Sequence, residues 1–116
     1  MNGSNVKVSY WITPEADHDI DEILAYLTNE AGIEKALQFL TEVQETFQLI
    51  SSPPEIGWKY ETDNPRLFNI RAFRVSPVFD HYLVFYRKIN HTIELIRILH
   101  GSRDIHEMLK QVPATS

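Results

Sequence analysis

The repeat of apolar residues changes character halfway along this chain, and that change limits the folds open to it. Ala16, Ile20, Ile23, Leu24 and Leu27 recur at spacings of three and four, the stripe of an amphipathic helix over about residues 14–30. After a break at Ala31-Gly32 the same period returns in Ile33, Ala36, Phe39, Leu40, Val43, Phe47 and Ile50. Beyond Pro53-Pro54 it disappears. Three runs rich in aromatic and branched residues follow at 67–75, 81–88 and 92–99, joined by the short links 76–80 and 89–91. Links of that length between such runs predict an antiparallel meander. A helical hairpin and a run of strands in one short chain must bury their apolar faces on each other.

Local signals mark where these elements begin and end. Val6, Val8, Tyr10 and Ile12 alternate with Lys7, Ser9 and Trp11, the period of a half-buried strand. Thr13-Pro14 ends that strand and opens the first helix, Thr as cap and Pro at the first helical position. Glu15, Asp17, Asp19 and Asp21 then put negative charge near the positive end of the helix dipole. Gly32 is a left-handed terminator between two antiparallel helices. Residues 55–65 read as a loop wrapping over the core, and 93–99 as a central strand. After His100-Gly101-Ser102-Arg103-Asp104, a tight turn, Ile105, Met108 and Leu109 mark a short helix. The tail from Gln111, with Pro113, is expected to fray. The fold class is therefore α+β: strand, helical hairpin, three-stranded antiparallel meander and short C-terminal helix. With 116 residues, the chain is expected to form one domain with its core over about 6–110.

Composition excludes several chemistries. There is no cysteine, which removes disulfide scaffolds, thiol nucleophiles and cysteine-ligated metals. Tyr82-Leu83-Val84-Phe85-Tyr86 is far short of a membrane span, and no secretory signal is visible, so a cytosolic protein is expected. The net charge of −5 hides a division. Residues 1–64 carry three Lys+Arg and twelve Asp+Glu, a balance of −9, whereas residues 65–116 carry eight and four, a balance of +4. An acidic whole argues against general nucleic-acid binding, while a basic half keeps an anionic partner open.

Few residues suggest catalysis. Asp17-His18-Asp19-Ile20-Asp21-Glu22 resembles an acidic metal loop, but a calcium loop needs Gly where Glu22 stands and Glu where Thr28 stands. The five histidines show no ligand spacing for zinc. No Gly-x-Ser-x-Gly elbow or glycine-rich phosphate loop occurs, so neither metal nor cofactor is expected. The arginines say more. Arg71, Arg74, Arg87, Arg97 and Arg103 all fall in the sheet half. Arg71 and Arg97 interrupt apolar strands, where a guanidinium must be paired or aimed at an open face. By alternation Arg97 shares a face with Ile93, Leu95 and Leu99, and both an ion pair with an acidic helix residue and a partner-facing role are open to it. Trp11, Trp58 and Phe79 are candidates for a hydrophobic partner groove.

The residues together carry a resemblance. Ala16, Asp17, Ile20, Ile23 and Tyr26, then Ala36 and Phe39, precede Leu49 and Pro53-Pro54 with Gly57. Ile70-Arg71, the run from Tyr82 to Arg87, and Ile96-Arg97-Ile98-Leu99-His100-Gly101-Ser102-Arg103-Asp104 follow. Over roughly residues 6–110 this pattern resembles the ParE branch of the RelE/ParE toxins of bacterial type II toxin–antitoxin modules. The resemblance implies a cognate ParD-like antitoxin that wraps the toxin, and DNA gyrase as target. No membrane association and no direct nucleic-acid binding by the toxin alone are expected, in keeping with the short apolar runs and the acidic whole. The alternative branch, RelE-like, cuts messenger RNA on the ribosome; here Arg71, Arg103 and His100 would be its catalytic residues. Leu109 stands where that branch would place a C-terminal tyrosine, and the −9 half is a poor surface for ribosomal RNA. A non-toxic orphan relative is the further alternative. Arg71, Arg97, Arg103, Trp58 and Phe79 are the expected partner- or target-binding residues.

Overall fold

A computed structural model describes residues 9–75 and 77–112. Strand β1 (Ser9–Ile12) leads into helix α1 (Pro14–Ala31) and helix α2 (Ile33–Ser51), followed by strands β2 (Trp58–Lys59), β3 (Arg71–Arg74), β4 (Tyr82–Ile89) and β5 (Thr92–His100) and helix α3 (Ile105–Lys110). The strands form one five-stranded sheet in the order β1-β5-β4-β3-β2. β1 runs parallel to β5, and the other neighbours are antiparallel. The helical hairpin is thus the crossover that carries the chain from β1 back to the sheet. Val6 and Val8 of the expected first strand, and Pro113 of the expected tail, lie outside the described residues.

Thr13 shows why α1 starts where it does. Its Oγ1 accepts from the Ala16 N–H at 3.0 Å and donates to the Ile96 carbonyl at 2.9 Å. One buried hydroxyl therefore caps a helix and fixes it to β5. At the hairpin turn Gly32 adopts φ 95° and its N–H reaches the Thr28 carbonyl at 3.1 Å, a backbone conformation that costs a side-chain-bearing residue dearly. Asn90 sits at φ 57° in the two-residue turn between β4 and β5, the left-handed geometry that lets a hairpin close tightly.

Both faces of the sheet are buried. On one, Ile20, Leu27, Phe39, Val43, Phe47 and Ile50 of the hairpin pack on Val84, Tyr86, Ile93, Leu95 and Ile98. On the other, Leu67, Ile70, Leu109 and Val112 cover Ala72, Phe85, Ile96 and Leu99. The side chain of Asn64 holds that second cover together: Nδ2 donates to the Leu109 and Val112 carbonyls, while Oδ1 accepts from the Arg66 N–H.

Three expectations need correction. The run 67–75 is a strand only from Arg71; Leu67 and Ile70 instead plug the second core, and Asn69 at φ 58° breaks the extended backbone between them. Residues 55–65, read as loop, contain β2, paired through Trp58↔Ala72 and Lys59↔Arg71. Simple alternation also fails in β5. Phe85 lies opposite Arg97 but Tyr86 lies opposite Leu95, so Ile96 is one residue more than β4 can match. That bulge moves Leu99 to the opposite face from Ile93 and Leu95.

Candidate functional site

The bulge coincides with the end of β1. Past Leu95 the outer edge of β5 has no strand beside it among the described residues, and the first turns of α1 take its place. Asp19 Oδ2 accepts from the Ile98 N–H at 3.0 Å and from Arg97 Nε at 2.7 Å, while Oδ1 accepts from Arg97 Nη2 at 2.8 Å. The carboxylate thereby does the work of a missing strand and neutralises the guanidinium. Hydrogen bonding to Asp19 holds the Arg97 pKa above its ordinary range, against the opposing effect of burial. Arg97 is the ion-paired residue that one of the two sequence readings allowed.

Beyond this pair the edge opens into a cleft of about 480 Å³. Asp19, Glu22, Ile23 and Tyr26 of α1 form one wall. Tyr82, Ile98, Leu99 and His100 form the other, with Ser102 and Arg103 of the following turn at the mouth. The turn is rigidly set. The Gly101 N–H donates to the His81 carbonyl at 2.7 Å, the Arg103 N–H to the His100 carbonyl at 3.0 Å, and Asp104 caps α3 through the Glu107 N–H. His100 is fixed as well: its ring stacks on His81 at 5.7 Å and meets the edge of Tyr82 at 5.0 Å. The Ser102 N–H donates to His100 Nδ1 at 3.0 Å, which assigns the proton of the neutral ring to Nε2. Burial, reinforced by nearby Tyr26, raises the Tyr82 pKa. The Arg103 side chain is exposed and has no partner among the described residues.

The other expected residues lie elsewhere. Arg71 is level with Tyr86, whereas His100 is level with Tyr82. Four residues along a strand separate those levels by about 13 Å, with two strand spacings besides. Arg71 is also occupied, donating through Nη1 to the carbonyls of Gly57 at 2.7 Å and Glu55 at 3.3 Å. His100 and Arg103 are therefore neighbours, and Arg71 is not brought to them. Phe79 is buried edge-on against Phe39, with Lys35 over its ring. Trp58 is exposed on β2 with the Arg74 guanidinium 5.3 Å from its ring, and Trp11 is exposed on β1. Among the described residues no cluster of three or more His, Cys, Asp or Glu could hold a metal ion, and no helix is long and apolar enough to cross a membrane. Tyr26 and Tyr82 were not expected as cleft residues. Tyr82 sits in an apolar run that reads as core and Tyr26 lies off the helical stripe, and only the packing of α1 on the sheet brings them together.

The profile of the family described as "ParE toxin of type II toxin-antitoxin system, parDE" matches residues 10–105. The chain belongs to the ParE toxin family. Among relatives of this ParE-family chain, Toxin ParE1 of Caulobacter vibrioides is 31% identical over 93 residues, covering 80% of this chain and 88% of that one. Toxin ParE1 of Mycobacterium tuberculosis is 28% identical over 101 residues, covering 86% and 96%. A solved chain described as the chromosomal ParDE TA system from P. aeruginosa superposes with a TM-score of 0.64 at 20% identity, over 80% of this chain and 95% of that one. That likeness shows that the ParE fold is the one described above.

Proposed function

We propose that this ParE-family toxin acts in the cytoplasm by binding DNA gyrase and is silenced by a ParD-like antitoxin. The toxin lies within a type II toxin–antitoxin family, and one observation supports the non-enzymatic branch over ribonuclease chemistry. Cleavage of RNA by 2′-hydroxyl attack needs a base, an acid and cations converging on one phosphate. Here Arg71 is committed to main-chain carbonyls, two strands across and four residues along the sheet from His100 and the Arg103 turn. Of the residues expected at a partner surface, Trp58 and Arg103 present free surface and make the contacts; Arg71, Arg97 and Phe79 hold that surface in shape from within.

The test is direct. Toxin separated from its antitoxin should block supercoiling of relaxed plasmid by purified gyrase, and added antitoxin should restore it. Undisturbed supercoiling together with cleavage of messenger RNA in a translation extract would place the toxin in the other branch.

A further inference from the structure

We infer that the cleft at the end of β5 binds a carboxylate, and that its ligand is an Asp or Glu side chain of the antitoxin. The inference rests on the toxin–antitoxin reading above and assigns to one cleft the chemistry of that contact. Its basis is an imbalance between donors and acceptors. Asp19 has both oxygens taken by Arg97 and the Ile98 N–H. Glu22, at the exposed rim, faces His18 Nε2 at 3.6 Å, where water screens it. The donors have no such partners. The Arg103 guanidinium is unpaired among the described residues, and so are the hydroxyls of Tyr26 and Tyr82. His100 keeps its Nε2–H because Nδ1 is held by Ser102. Apart from Glu22 at its rim, the cleft has spent its carboxylate oxygens and kept its donors, and so selects an acceptor.

The same wall decides which acceptor. Among the described residues Arg103 is the one Lys or Arg lining the cleft, and a planar guanidinium with free donors matches a single carboxylate bidentately. A nucleic acid draws its affinity from several phosphates neutralised at once. The exposed face of α1 alongside carries Asp17, Asp21 and Glu22, which repels such a polyanion. Ile23 and the rings of Tyr26 and Tyr82 line the cleft beside these donors, an apolar surface suited to the side chains flanking the acid in a polypeptide. Tyr26 is 60% exposed and open to contact. A peptide carboxylate with apolar neighbours fits, and a phosphate chain does not.

The experiment measures antitoxin binding to full-length toxin by calorimetry. Arg103→Ala should weaken binding about tenfold to a hundredfold, the range of a charge-assisted pair, while Arg103→Lys recovers part of it. Lys88→Ala, which removes a charge from the exposed far end of β4, should change it less than twofold. Thermal melting of Arg103→Ala should match wild type, because the exposed side chain has no partner among the described residues. Replacing antitoxin Asp and Glu residues one at a time by amides should reveal one whose effect disappears on the Arg103→Ala background. Equal binding by wild type and Arg103→Ala overturns the inference and leaves the toxin–antitoxin reading standing. Failure of wild type to bind antitoxin overturns both. Loss of binding to a single-stranded RNA probe in Arg103→Ala, with antitoxin binding unchanged, assigns the cleft to phosphate and overturns it as well.

Discussion

Replacing Asp19 by Ala tests the claim that one carboxylate substitutes for a strand. Its oxygens receive three hydrogen bonds, two from Arg97 and one from the Ile98 N–H. The Asp19 side chain is 5% exposed and that of Arg97 15%. Without Asp19, a charged guanidinium and a main-chain N–H are left largely dry. Breaking a buried pair from one side costs about 3–5 kcal/mol. The Arg97 side chain keeps some exposure and can recover some water, so the lower end applies, about 3 kcal/mol. Against a total stability of about 5–15 kcal/mol for a domain, that is a severe loss. It corresponds to a melting temperature lower by about 12 °C, at about 4 °C per kcal/mol for a chain of this size. Urea unfolding followed by far-ultraviolet circular dichroism is the assay: the midpoint should fall while the slope stays constant. Asp19→Asn, which keeps an acceptor for Ile98, should lose less. Combining Asp19→Ala with Arg97→Met should cost clearly less than the two changes summed, because the second removes the charge stranded by the first. A loss below about 1 kcal/mol for Asp19→Ala, or strict additivity in the pair, would refute the reasoning.

Two further outcomes follow from the β2–β4 region. A Cβ on Gly57 would meet the Ala72 carbonyl oxygen at 2.8 Å and the hydroxyl of Tyr86; Gly57→Ala should therefore destabilise the fold by about 1–3 kcal/mol, read from the urea midpoint. Burial raises the pKa of Tyr86 and of Tyr82 above the ordinary 10.0. A tyrosine whose folded pKa is raised keeps its proton after the unfolded chain has lost it. Its contribution is complete below pH 10 and is lost as pH climbs through the folded value. Stability should be flat from pH 8 to about 9.5 and decline above 10, and Tyr86→Phe should soften that decline.

How much of this was legible in the sequence depends on the range of the interactions. Period and caps are local. Thr13-Pro14, Gly32 and the two helical stripes therefore placed both helices to within a residue or two. The meander was legible for the same reason, since its links are short. What stayed hidden is set by partners distant in sequence. The parallel pairing of Ser9↔Thr92 through Ile12↔Leu95 leaves no mark in either strand alone. The Ile96 bulge comes from a mismatch between β4 and β5, so the alternation reading of Arg97 and Leu99 went astray although both lie in an unmistakable strand. Leu67 and Ile70 were apolar because they plug a core, which a strand pattern imitates. At the candidate site, His100 and Arg103 were recognisable from the turn they flank. Tyr26 was not, because its place in the cleft depends on where α1 crosses β5.

The division of charge between the two halves acquires a different meaning once pairing is counted. The sheet half carries the positive excess, yet most of its arginines do not face outward as free charge. Arg97 is neutralised by Asp19 of α1. Arg87 is buried against Glu94 at 2.7 Å, with Arg66 O and the Phe68 ring completing its surroundings. Arg71 is bound to main-chain carbonyls, and Arg74 lies over Trp58. The same pairing removes Asp19 from the acidic face. What a partner meets is the remainder after these pairs, and at the cleft that remainder, among the described residues, is a single guanidinium beside two phenols and an apolar wall, with the Glu22 carboxylate at the rim. A basic half-chain suggests a polyanion as partner, whereas one unpaired arginine calls for one carboxylate. The number of cations left unpaired therefore argues for a protein partner there, independently of the family to which the chain belongs.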